Sequence, residues 1–263
     1  MKVEEYGKDN PKTIVMLHGA FFVHTFGRQY SLSKKYHIVV PHIMGFGDNT
    51  DRIFQTDECI KELANYIKSL NKKVMLIGFS LGAQLAFRLV AEYEELFESA
   101  IIVSPWLIKE ESKLSKADEL NKKQFKQLQN KFMCRLIGTM NGLPPKACKE
   151  FVLQMQNVKE ETIHNIVYNG ITIDSVPKFA DISLPVVALA GKKEQDDKCS
   201  SHNQSSISKA SRFFLPSGFA SPCLTKNMVT KASPAKTAAY GNNTVIPTPS
   251  ISISKPESIG VAI

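Results

Sequence analysis

The segment Val74-Met75-Leu76-Ile77-Gly78-Phe79-Ser80-Leu81-Gly82 passes from an apolar run into a serine flanked by glycines. The run Val74 to Ile77 reads as a buried strand. Beyond the serine, a helix is expected to start near Leu81 and to carry Leu85, Leu89 and Val90 on one face. Gly78-Phe79-Ser80-Leu81-Gly82 therefore fits the pattern G-x-S-x-G between a strand and a helix, the nucleophile elbow. The spacing has a steric reason. Small residues two before and two after the serine let strand and helix approach closely, so the serine sits on a sharp turn with Oγ in the cleft. The helix N-terminus behind it favours developing negative charge. The competing reading is a glycine-rich turn whose serine only caps the helix.

Outward from this segment, strands and helices alternate. Apolar runs at Thr13 to Leu17, Tyr36 to Val40, Ala100 to Val103 and Leu184 to Ala190 read as strands,. Residues 25 to 35 read as a helix. Residues 56 to 70 read as another, with Ile60, Leu63, Ala64, Ile67 and Leu70 at helical spacing,. Continuous apolar strands between amphipathic helices predict a mainly parallel sheet covered on both faces, an α/β fold with doubly wound topology. In such sheets ligands bind at the carboxyl ends of the strands. His18, Gly78 to Ser80 and Ser104 fall at those ends. Residues 107 to 165 interrupt the alternation. Rich in Lys, Glu, Gln, Leu and Met, they read as inserted helices, either a lid over about 107 to 175 or ordinary peripheral helices.

His18-Gly19-Ala20-Phe21 follows the first of these strands. A His-Gly turn here aims a backbone N–H towards the elbow. One N–H from Ala20 or Phe21 and one from Leu81 would then make an oxyanion hole. His18 is expected to hold the loop by hydrogen bonding rather than to act as a base. Phe21, Phe22, Phe79 and Trp106 lie at or near strand ends. They are expected either to line an apolar acyl pocket, here assigned to Phe22, Phe79 and Trp106, or to be ordinary core.

On these residues the chain resembles the α/β-hydrolase superfamily, in its serine-nucleophile branch. The matching pieces are the His18 to Phe21 turn, the loop Pro41-His42-Ile43-Met44-Gly45-Phe46-Gly47-Asp48, the elbow, and the strand 184 to 190 with Gly191-Lys192-Lys193-Glu194. They span roughly residues 10 to 197. The resemblance implies Ser80 as nucleophile, backbone donors at Ala20 and Leu81, and Glu194 as the acid, with Asp196 and Asp197 in competition. It also implies a histidine base near position 219, where Phe219 stands; His202 lies only eight residues past Glu194. The implied activity is hydrolysis of an ester, thioester or related acyl bond in a small-molecule substrate, through an acyl-serine, in a chain that lacks the base. The alternative is a non-catalytic binding module, or a frame-shifted member, on the same fold.

Composition marks where the resemblance stops. Of a net charge of +8, residues 198 to 263 carry +6, from Lys198, Lys209, Arg212, Lys226, Lys231, Lys236 and Lys255 against Glu257. That stretch is rich in Ser, Thr, Asn, Pro and Ala, and it is expected to be a poorly ordered tail apart from a short strand at Arg212 to Leu215. The domain proper is expected over 1 to 197. Without a basic cluster or interleaved aromatics, the tail gives no sign of a nucleic-acid partner. The cysteines Cys59, Cys134, Cys148, Cys199 and Cys223 are odd in number and scattered, and Met1 begins no apolar leader. Reduced thiols and a cytoplasmic location follow as expectations. Cys199 and His202 lack a second ligand pair, so no metal is expected; no phosphate-loop or dinucleotide pattern calls for a cofactor. No apolar run reaches the ~20 residues of a membrane span.

Overall fold

The computed structural model describes residues 1 to 189, apart from Ile108, Glu110, Asn141 and the side chain of Lys113. Six strands form one sheet in the order β1-β3-β2-β4-β5-β6. They are β1 (Val3–Tyr6), β2 (Thr13–Leu17), β3 (His37–Pro41), β4 (Val74–Phe79), β5 (Phe97–Val103) and β6 (Val186–Leu189). All neighbours run parallel except β1, which is antiparallel to β3. The expected α/β architecture is therefore present, with one strand more than the apolar runs indicate.

Strands β2 and β3 are buried at every position, as central strands covered on both faces must be,. Their alternate residues feed two cores. Ile14, Met16, Ile38 and Val40 pack with Tyr6, Phe26 and Tyr30 on one side. Val15, Leu17, Val39 and Leu76 join the helices α1 (Thr56–Ser69) and α2 (Leu81–Glu92) on the other. α1 buries Cys59, Ile60, Leu63, Ala64 and Ile67, and Asp57 and Glu58 in its first turn suit the helix dipole,. The segment expected as a helix over 25 to 35 is a 3-10 helix, Gly27–Lys34, with no buried residue and little amphipathic pattern,.

β1 is short and carries two carboxylates. It is held because they meet the two histidines at the ends of β3: Glu5 lies 2.6 Å from His37 Nε2, and Glu4 3.0 Å from His42 Nε2.

Between β5 and β6 the chain inserts α3 (Glu111–Gln129), α4 (Lys131–Met140), α5 (Pro145–Asn157) and α6 (Glu160–Tyr168). Asn130 caps α4, its Oδ1 accepting from the amides of Phe132 and Met133 at 3.0 and 3.1 Å,. α4 and α5 meet at Gly138, where a Cβ would stand 3.0 Å from Cys148 Sγ and 3.2 Å from the Phe151 ring. Cys59, Cys134 and Cys148 are free thiols. Among the described residues no helix is long and apolar enough to cross a membrane. The expected strand at Arg212 to Leu215 and the tail lie outside the described residues.

Candidate functional site

The chain leaves β2 towards β3 on one side and returns to build β4 on the other, so the topology switches direction between β2 and β4. A crevice opens at the carboxyl ends of such a pair. The residues there are His18-Gly19 after β2 and Ser80 after β4, since Leu17 is the register partner of Gly78.

Ser80 holds φ 50° and ψ −110°, a backbone region that L-residues rarely occupy,. Three backbone bonds fix it. Its N–H donates to the Val103 carbonyl at 2.9 Å, and its carbonyl accepts from the amides of Ala83 and Gln84, both at 3.1 Å. The flanking glycines are required by space. A Cβ on Gly78 would clash with the Gly82 carbonyl, and one on Gly82 would clash with the carbonyls of Leu17 and His18. The Gly82 amide also donates to the His18 carbonyl at 3.1 Å, which ties the helix to the end of β2. Ser80 Oγ, half-buried, and the Leu81 N–H have no hydrogen-bond partner among the described residues.

The loop after β2 is drawn against this elbow. A Cβ on Gly19 would lie 2.8 Å from the Phe79 ring and 3.6 Å from Ser80 Cβ. Phe21 takes φ 72° and buries its ring edge-on to Phe46, 5.8 Å between centroids. The N–H groups of Ala20 and Phe21 have no partner among the described residues. His18 is fully buried. Its Nδ1 donates to the Gly19 carbonyl at 2.7 Å, and its Nε2 accepts from the Ile43 N–H at 3.0 Å. Burial pushes its pKa down to about 3,. A neutral ring with both nitrogens engaged holds the two loops together, as expected, and has no free lone pair for a proton from Ser80.

Of the aromatic candidates, Phe79 sits under Gly19, and Phe22 stacks on Phe151 of α5 at 4.7 Å. Trp106, half-buried after β5, lies 4.8 Å from Lys109 Nζ. Lys109 belongs to no motif and was not singled out in the sequence. Its ammonium donates to the carbonyls of Ile166 and Val167 at 3.0 and 2.9 Å, closing the last turn of α6,. Burial lowers its pKa to about 8. Gly170 leaves room for it, in a niche where Gln84 Oε1 of the helix behind Ser80 also lies. Glu194, Asp196, Asp197, His202 and Phe219 lie outside the described residues. A surface groove of ≈ 730 Å³ lined by Lys73, Glu94, Phe97 and Pro185 is at the opposite, amino ends of β4 to β6.

Solved structures share the fold. MenH from S. aureus superposes with a TM-score of 0.52 at 18% identity, covering 73% of this chain and 79% of that one. A thermophilic esterase from Thermogutta terrifontis gives 0.53 at 15%, covering 75% and 79%. A carboxylesterase structure from Nitrososphaera gargenis gives 0.54 at 14%, covering 72% and 75%. No curated protein matches the chain in sequence. The sequence model of the alpha/beta hydrolase fold matches residues 12 to 201, from the start of β2 through the elbow and the inserted helices. With that match over most of its length, the chain belongs to the α/β-hydrolase fold family.

Proposed function

We propose that the chain is built as a serine hydrolase for an ester, thioester or related acyl bond, with Ser80 as nucleophile. The observation that carries this reading is the conformation of Ser80. A φ of 50° on a non-glycine residue is costly, and the surrounding glycines and backbone bonds hold it there,. In the proposed reaction Ser80 Oγ attacks the acyl carbonyl and gives up its proton to a base. The carbonyl oxygen, now an oxyanion, accepts from the Leu81 N–H and from that of Ala20 or Phe21. Collapse expels the alcohol or thiol with a proton and leaves an acyl-serine, which water then hydrolyses. Glu194 is the proposed acid, and the helices α3 to α6 are the proposed lid of a domain over 1 to 197.

A second reading rests on Phe219. It stands where the family resemblance puts the base, and a phenyl ring accepts no proton. On that reading the fold binds an acyl compound without turning it over, or the residues after 197 are a frame-shifted end.

Labelling of the full chain with a fluorophosphonate separates the two. Label on Ser80, lost in Ser80→Ala, supports the hydrolase. No label on a chain folded by circular dichroism overturns it for this protein. The coding DNA, read in its other two frames past codon 194, tests the frame-shift account. A Gly-x-Gly-His or Ser-Gly-His run followed by an amphipathic helix establishes it, and the lack of any such run counts against it.

A further inference from the structure

Helix α4 carries three large apolar side chains on its outer face, while Ile137 packs against the core. Phe132, Leu136 and Met140 follow one another at four-residue steps and are 75%, 43% and 77% exposed. The face turned inward carries Cys134 and Gly138. Beside the apolar row runs a second exposed row, Lys131, Arg135 and Thr139. The neighbouring α5, whose Cys148 Sγ lies 3.5 Å from the Arg135 carbonyl, adds exposed Lys146, Lys149 and Leu153. α4 itself carries only cations; the acidic groups next to it in sequence are Asp118, which pairs with Lys122 at 3.0 Å, exposed Glu119, and Glu150, 3.9 Å from His24. Residues 120 to 149 contain Lys122, Lys123, Lys126, Lys131, Arg135, Lys146 and Lys149 and not one Asp or Glu.

Two demands meet on this face. Large apolar side chains in water disfavour the free state and gain by leaving it. The flanking cations attract an anionic surface that comes within about a Debye length of them. A second copy of the chain would cover the apolar row but bring like charges together. A polyanion such as RNA would satisfy the cations and leave the apolar row wet. A membrane surface rich in anionic phospholipid meets both. The apolar row enters the headgroup–acyl boundary, and Lys and Arg extend to the phosphates.

We propose that the exposed face of α4, with Lys146 and Lys149 of α5, docks the protein onto anionic lipid surfaces. The inference is independent of the chemistry at Ser80. It makes the inserted helices a membrane-facing element of a chain that does not cross the bilayer with any described helix.

The test is co-sedimentation of the full chain with vesicles of phosphatidylcholine alone and of phosphatidylcholine mixed with phosphatidylglycerol. Binding is expected to the mixed vesicles and to weaken with salt. The double variant F132S/M140S and the double variant K131E/R135E should each reduce the bound fraction about tenfold or more, with circular dichroism unchanged. No binding by the unmodified chain overturns the proposal. So does binding that survives both variants, because the basic residues after Lys198 would then carry it. Loss in K131E/R135E with full retention in F132S/M140S marks a polyanion site and overturns the lipid assignment. Self-association abolished by F132S/M140S, without vesicle binding, assigns the face to a second copy.

Discussion

Phe22, on the loop after β2, stacks on Phe151 of α5 with ring centroids 4.7 Å apart and planes 10° from parallel. The loop that carries Ala20 and Phe21 is thereby keyed to the inserted helices by one aromatic pair. Phe151 in turn packs against Gly138, so the contact continues into α4. The position of the loop and the packing of the insertion are coupled through it.

Phe151→Ala should destabilise the fold by about 3–5 kcal/mol, because Phe151 is buried at 4% exposure and leaves a cavity between α5 and the loop,. Phe22 is only half-buried, and Phe22→Ala should cost less. Urea unfolding of both single variants and the double variant should give a coupling of about 0.5–1.5 kcal/mol. Additive losses would mean that the stack contributes nothing beyond burial.

The elbow glycines should be intolerant of a methyl group for reasons of space alone. Gly82→Ala drives a Cβ into the carbonyls of Leu17 and His18, atoms of β2 and its exit that cannot move away. A loss of about 3 kcal/mol is expected. Gly142 is the control. It holds φ 75°, yet a Cβ there meets nothing within 4 Å. Gly142→Ala should cost only the left-handed backbone penalty, about 1 kcal/mol. Equal losses in thermal unfolding would show that steric contact is not what selects glycine at 82.

Ser80→Gly should raise stability while removing the proposed nucleophile. Glycine occupies φ 50°, ψ −110° without the Cβ clash, so the relief should be about 1–3 kcal/mol, less a small entropic cost in the unfolded chain,. Ser80→Ala keeps the Cβ and should show little of this gain. If the two variants unfold at the same temperature, the serine backbone is not strained.

The elements around Ser80 differ in how far they were legible in the sequence. Strand β4, the elbow and α2 could be read because the pattern changes from a continuous apolar run to helical spacing across two glycines. α1 was legible for the same reason. β1 was not: Val3-Glu4-Glu5-Tyr6 reads as a polar start, and its partners His37 and His42 lie more than thirty residues away. The Phe22–Phe151 stack and the Lys109 contacts with α6 were hidden too, since no local period signals a contact between distant segments. Phe22, Phe79 and Trp106 could be placed near strand ends, but their neighbours could not be read: Phe22 meets Phe151 of the insertion, Phe79 lies under Gly19, and Trp106 faces Lys109.

Acid should reveal the buried histidine that holds the site. His18 stays neutral in the fold down to about pH 3, while in the unfolded chain it binds a proton below about 6.5. Between these values only the unfolded state gains the proton, so stability falls as pH falls, by about 1.4 kcal/mol per unit for this group. Glu4 adds a second contribution lower down. The His42 hydrogen bond, the largest cause, holds its carboxyl at about 2 rather than 4.5. Its stabilisation is complete above about pH 4.5 and is lost as pH falls from there towards 2. The slope of unfolding free energy against pH should therefore steepen below 4.5. His18→Gln should lose about 1–3 kcal/mol at pH 7, where the Ile43 N–H loses its imidazole acceptor, and should flatten the curve between 6.5 and 4.5,. Glu4→Gln should flatten it only below 4.5. Parallel curves for the unmodified chain and His18→Gln across the upper window would show that His18 is not held neutral.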